Sequence, residues 1–241
     1  MRGRAVRKDS LGRAERAAMF GLLERHFSGV AKDVFARDLD DKNWVILLEG
    51  AAGDLVGFST LLCYETELGG RLRRVVYSGD TIVAPAAWGS FALPRTWIQT
   101  VTQLHAGPSR DPLLWLLITS GFRTYRFLPV FFACFWPRHE AATPEGTQAL
   151  IDSLAAERFG RRYDPARGIV RFERPQALRE ALAEIPSGKL CDPHVAYFAR
   201  RNPGHSRGDE LVCLAELSRE NMTRAGQRMA DGGRAAAAAA Q

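Results

Sequence analysis

Apolar residues along this chain recur with two periods, and the change between them marks its elements. Met19, Leu22, Leu23 and Phe27 fall on one side of a helix predicted over residues 11–27, with Ser10 as its N-cap and Gly29 as its stop. Val30, Val34 and Phe35 repeat that spacing in a second helix over 30–39. From residue 44 the period shortens. Trp44-Val45-Ile46-Leu47-Leu48 is a continuous apolar strand, and Gly50-Ala51-Ala52-Gly53-Asp54 turns the chain into a second strand from 55 to about 64. Gly69-Gly70 breaks that strand and a third follows over 73–83.

The stretch Val75-Val76-Tyr77-Ser78-Gly79-Asp80-Thr81-Ile82-Val83-Ala84-Pro85-Ala86-Ala87-Trp88-Gly89 reads as a strand, a bend and the approach to a helix that runs through Gln103. Trp97, Ile98, Val101 and Leu104 give that helix one buried face. A strand that bends directly into a helix aims unpaired backbone N–H groups at the mouth of the sheet, a geometry suited to an anion. Gly107-Pro108-Ser109 is then a loop, and Leu113–Thr119 is apolar on both faces, as a central strand with a parallel neighbour would be. Such a strand–helix–strand unit closes right-handed and leaves the C-terminal end of its first strand open for a ligand.

Beyond residue 127 the pattern is less regular. Residues 127–136 are dense in aromatics around Pro129; they fit a core cluster, or a wall for a lipophilic acyl chain or acceptor. A helix fits 144–158 with Gly160 as its stop, a strand 168–173, a helix 175–185, strands near 195–199 and 211–214 separated by Asn202-Pro203-Gly204, and a polar helix 217–229. Gly232-Gly233-Arg234 and the six alanines before Gln241 are low in complexity, and disorder is the expectation there.

Composition narrows the partners. The 241 residues carry a formal charge of +6 from 33 Lys and Arg, nearly all Arg, spread along the whole chain. No aromatic-basic motif accompanies them, so the charge reads as solvated surface that helps attract an anionic ligand, not as a nucleic-acid stripe. Cys63, Cys134, Cys191 and Cys213 form no C-x-x-C pair, which fits thiols in a reducing, cytoplasmic setting. No apolar region follows the basic N-terminus and no apolar run is long enough to span a bilayer, so neither signal peptide nor membrane span is expected. Cys191-Asp192-Pro193-His194 places Cys and His in a lone C-x-x-H without a second pair; a turn is the plainer reading, and no metal is expected. There is no Gly-x-Ser-x-Gly, Walker loop or dinucleotide fingerprint.

The order helix, helix, three strands, bend, helix, strand over roughly 11–127 resembles the GNAT (Gcn5-related N-acetyltransferase) superfamily. The resemblance rests on the 75–125 core and on Gly121-Phe122-Arg123-Thr124-Tyr125 after the second strand of the unit. It implies an α/β, GNAT-like acyl-CoA N-acyltransferase fold: a mixed central sheet flanked by helices, with residues 1–137 as the core, an extension over 138–230 that completes or caps the sheet, and a tail from 231. It implies an acetyl-CoA or longer acyl-CoA donor and a small-molecule amine acceptor, and it is compatible with a homodimer. In the family the strand ending at Ile82 and Val83 binds the pantetheine arm through its backbone, and the next loop wraps the pyrophosphate. Here that loop is Trp88-Gly89-Ser90-Phe91-Ala92-Leu93: Trp replaces the leading basic or amide residue, Phe91 the middle Gly and Leu93 the last small residue. Pro94 removes an N–H donor, and Arg95 in the first helical turn restores positive charge. The resemblance thus gives Ile82, Val83, Trp88, Gly89, Ser90, Ala92 and Arg95 as donor-binding residues and Tyr125 as general acid. Asp80, at the strand's open end, is the candidate base. The altered loop also admits an acyl carrier protein or aminoacyl-tRNA as donor, or a catalytically silent module that binds a small ligand or a protein.

Overall fold

In the computed structural model, residues 1–106 and 112–238 are described; the expected loop at Gly107-Pro108-Ser109 lies outside them. The chain opens with strand β1 (Arg2–Arg7), helix α1 (Arg13–His26), the short strand β2 (Phe27–Ser28) and helix α2 (Lys32–Asp40). Strands β3 (Trp44–Glu49), β4 (Leu55–Leu68) and β5 (Arg71–Val83) form a meander, and helix α3 (Ala92–His105) leads to strand β6 (Leu113–Thr119). Two short helices follow, α4 (Phe122–Tyr125) and α5 (Phe127–Phe131), then strand β7 (Phe135–Trp136) and helix α6 (Glu145–Phe159). The remainder comprises β8 (Tyr163–Asp164), β9 (Ile169–Val170), β10 (Ala177–Leu178), α7 (Glu180–Ala183), α8 (Pro193–Arg201), β11 (Glu210–Glu216) and α9 (Arg224–Ala238).

The result is a mixed central sheet in the order β1-β3-β4-β5-β6-β11-β9-β8, with β7 also on β11, and helices on both faces. Only β5 and β6 run parallel among these pairs; α3 is the crossover between them. Period-two alternation sends Val76, Trp115, Leu117 and Cys213 to one face, under α3, α4 and α8. Tyr77, Leu116, Ile118 and Val212 go to the other, under α6, and Val45, Leu47 and Phe58 pack on that side against α1 and α2. A second, two-stranded sheet pairs β2 with β10 and so ties residues 177–178 to the end of α1. No described helix is long and apolar enough to cross a membrane.

Several expected elements differ. The basic N-terminus, where no element was expected, is an edge strand: β1 pairs with β3 from Arg2↔Glu49 to Arg7↔Trp44. Ser10 does not cap α1; its hydroxyl donates to Arg7 O, and Glu15 accepts from the Gly12 N–H at 2.8 Å instead. The helix expected over 175–185 is β10 followed by the single turn of α7. The strand expected near 195–199 is helix α8, because Asp192 Oδ1 accepts from the His194 N–H at 3.0 Å and Pro193 occupies the first turn, where it lacks no needed donor. α9 continues through Gly232 and the first alanines to Ala238, where disorder was the expectation.

Candidate active site

The site begins with a misfit between neighbouring strands. β4 and β5 pair at Ser59↔Thr81 and again at Leu61↔Ser78, so the single Thr60 faces two residues, Gly79 and Asp80. This is a β-bulge, and a bulge bends the strand that carries it. The parallel pairing of β5 with β6 stops at Ser78↔Leu117, where the buried Trp115 indole N–H donates to Ser78 Oγ at 2.9 Å. β6 itself continues in register with β11 to Thr119↔Leu211. Past Ser78 the two parallel strands therefore separate, and the gap opens into a cleft of about 320 Å³.

Gly79 is required at the bulge. A Cβ there would lie 2.6 Å from Lys42 Cε and 2.6 Å from Thr60 Oγ1. The space is taken by the Lys42 side chain, which is completely buried and crosses behind the strand. Its Nζ donates to Asp38 O at 2.9 Å and to Asp38 Oδ1 at 2.8 Å, and it lies 5.4 Å from the centre of the Tyr77 ring. A buried ammonium needs such partners to remain charged.

Three carboxylates line the inner end of the cleft: Asp38 from α2, Asp80 from the bulge and Glu210 from the start of β11. Burial pushes the Asp80 carboxyl up to about 7, Asp38 adds repulsion, and Lys42 pulls the other way. Burial likewise raises Glu210 to about 8, with Asp80 and Asp38 contributing repulsion. Both side chains are enclosed by protein yet keep part of their surface open to the cleft. Near neutrality Asp80 can take up a proton and release it, which is what a general base must do.

The outer end is aromatic and cationic. The Trp88 indole N–H donates to Val83 O at 2.8 Å, and the Arg123 guanidinium lies 3.7 Å above the Trp88 ring. Burial partly desolvates Arg123 and lowers its pKa. In the loop, Ser90 Oγ accepts from the Ala92 N–H, Pro94 has no N–H, and the Arg95 N–H is bonded to Phe91 O. The anion cradle expected here has already spent donors on itself.

Asp80, Ile82, Val83 and Trp88 come together along the cleft, whereas Gly89, Ser90, Ala92 and Arg95 do not line it. Ala92 packs into the core, and Arg95 lies alongside Gly232 of α9. Tyr125 also lies apart from the cleft lining. It is wholly buried away from the cleft, stacks on Tyr197, and donates its hydroxyl proton to Pro137 O at 2.9 Å. Burial drives its pKa far above the ordinary value. Sequence reasoning passed over Asp38, Lys42, Glu210 and Arg123. The i,i+4 pair Asp38 and Lys42 was the available signal for the first two.

No protein-family model matches the chain, and no curated protein matches it. Among solved structures it is similar to a conserved Enterococcus faecalis V583 protein of unknown function, described as a probable N-acyltransferase, at 14% identity and a TM-score of 0.40. That match takes in 64% of this chain but only 43% of the other, less than half its length. It is also similar to Escherichia coli YhbS, a GNAT family N-acetyltransferase solved with CoA, at 14% identity and a TM-score of 0.39 over 53% of this chain and 68% of that one. Escherichia coli ElaA is similar at 18% identity and a TM-score of 0.39, over 60% and 93%. Likeness at this level carries no weight for the chemistry, which rests on the residues of the cleft.

Proposed function

We propose that the cleft transfers an acyl group from a CoA-type thioester to an amine, with Asp80 as the base. One observation carries the reading: a carboxyl that ionises near neutrality sits in the gap between two separated parallel strands. The freed edge of β5 would receive the extended, amide-bearing arm of the donor. Asp80 takes a proton from the attacking amine, the nitrogen bonds to the thioester carbon, and the carbon–sulfur bond breaks. The sulfur leaves as thiolate and is reprotonated, so the proton moves in net from nitrogen to sulfur. Asp38, Asp80 and Glu210 gather at the inner end, apart from Arg123 at the outer end, and this favours an amine as the acceptor there.

A second reading, a catalytically silent module of the same fold, is favoured by Trp88. Its indole already occupies the Val83 carbonyl that the donor's arm would use. Free-thiol release from acetyl-CoA and longer acyl-CoAs, measured against a panel of polyamines and aminosugars, separates the two. Turnover that falls about 10²-fold or more in Asp80→Asn supports the enzyme. No turnover, together with no thermal stabilisation by any acyl-CoA at millimolar concentration, removes the CoA reading.

A further inference from the structure

Away from the cleft, the segment after β7 meets the first turn of α8, and two imidazoles and a carboxylate face one another there. We propose that His139, Glu140 and His194 bind a divalent transition-metal ion of the zinc type. His139 Nε2 and His194 Nε2 both lie 3.5 Å from the same oxygen, Glu140 Oε1. Ligand atoms from all three residues fall within 4.8 Å of one another. A separation of 3.5 Å is too long for a well-formed hydrogen bond. It is close to the roughly 3.3 Å edge of a tetrahedron whose centre lies about 2.0–2.1 Å from each nitrogen and oxygen. The two rings stand edge to face, with centres 4.4 Å apart.

The elements holding these side chains are fixed independently of any ion. Tyr125 donates to Pro137 O and pins the segment two residues before His139. Asp192 caps α8 through the His194 N–H and accepts from Arg126 Nε at 3.0 Å through its other oxygen. Phe135 packs 5.9 Å from the His194 ring. Imidazole nitrogens select zinc, nickel, cobalt or copper over magnesium and calcium, which prefer oxygen ligands. The three side chains are 26%, 41% and 21% exposed, so an ion can enter and water can complete its coordination. None of the three lines the cleft, so this inference stands or falls apart from the acyl-transfer reading.

The test uses the full chain, stripped with a chelator and free of any affinity tag. Titration with Zn²⁺ should show one equivalent bound, and Co²⁺ should give the visible absorption of a low-symmetry, four- or five-coordinate site. Zn²⁺ should also raise the melting temperature. His139→Ala with His194→Ala, and separately Glu140→Gln, should weaken binding by about tenfold or more. Glu140→Gln is a near-isosteric change at an exposed side chain, so equal melting temperatures in chelator identify it as folded. Cys191→Ser should leave binding intact. Absence of stoichiometric binding in the wild type overturns the proposal; so does undiminished binding in the histidine variant, or loss of binding in Cys191→Ser.

Discussion

Replacing Asp80 with Asn removes a charge the folded protein holds at a cost, and the structure sets the size and sign of the effect. The carboxyl rises from 3.8 to about 7. A rise of roughly three units, at 1.36 kcal/mol each, corresponds to about 4 kcal/mol between the ionised and neutral forms. The cleft admits water to Asp80, so about half of that, ~2 kcal/mol, is a fairer expectation. Because the folded pKa lies above the unfolded one, the stabilisation is complete below about pH 4 and is lost as the pH rises through 7. Asn is neutral throughout and loses nothing. Wild type and variant should therefore be similar in stability near pH 4, with the variant ahead by about 2 kcal/mol at pH 8. For a chain of this size that corresponds to roughly 4–8 °C in melting temperature. Glu210, freed from the repulsion of Asp80, should move the same way. Denaturant unfolding of both proteins at the two pH values measures the difference. An advantage that is equal at both pH values, or a variant that loses ground at pH 8, would refute the account of Asp80 as a buried, repelled carboxyl.

Three other substitutions probe the remaining parts. Lys42→Met removes the one charge that lowers the Asp80 pKa, so the acid limb of the pH–rate profile should move to higher pH; an unmoved limb would separate Lys42 from the chemistry. Tyr125→Phe should cost about 1 kcal/mol of stability by leaving the Pro137 carbonyl unpaired, with kcat unchanged; a large fall in kcat at equal stability would return Tyr125 to the acid's role. Trp88→Ala frees the Val83 carbonyl and unstacks Arg123, so the KM for an acyl-CoA should fall while stability drops by about 1 kcal/mol; a raised KM would mean that Trp88 holds the donor instead of displacing it.

What could be read from the chain follows how local the deciding interaction is. The unit from β5 through α3 to β6 was legible because apolar alternation, a glycine and a helical stripe stand next to one another in sequence. Asp80 was singled out from the same unit, for its place at the open end of the strand. β1 was hidden, because Arg2-Gly3-Arg4-Ala5-Val6-Arg7 is too charged to suggest a strand; only the ladder to β3 makes it one. At α8 the β-forming character of Val195-Ala196-Tyr197-Phe198 outweighed the local signal, although Asp192-Pro193 is a sound helix start and did prevail in the fold. The cleft's electrostatics could not be read at all. Asp38, Asp80 and Glu210 come from three elements, and their mutual repulsion exists only once the bulge, α2 and β11 are assembled. Tyr125 shows the converse. Its position after β6 suggested an acid, but a position in sequence does not fix where a hydroxyl points. In the fold that hydroxyl donates to Pro137 O and so props the segment that carries His139 and Glu140, where two imidazoles and a carboxylate meet.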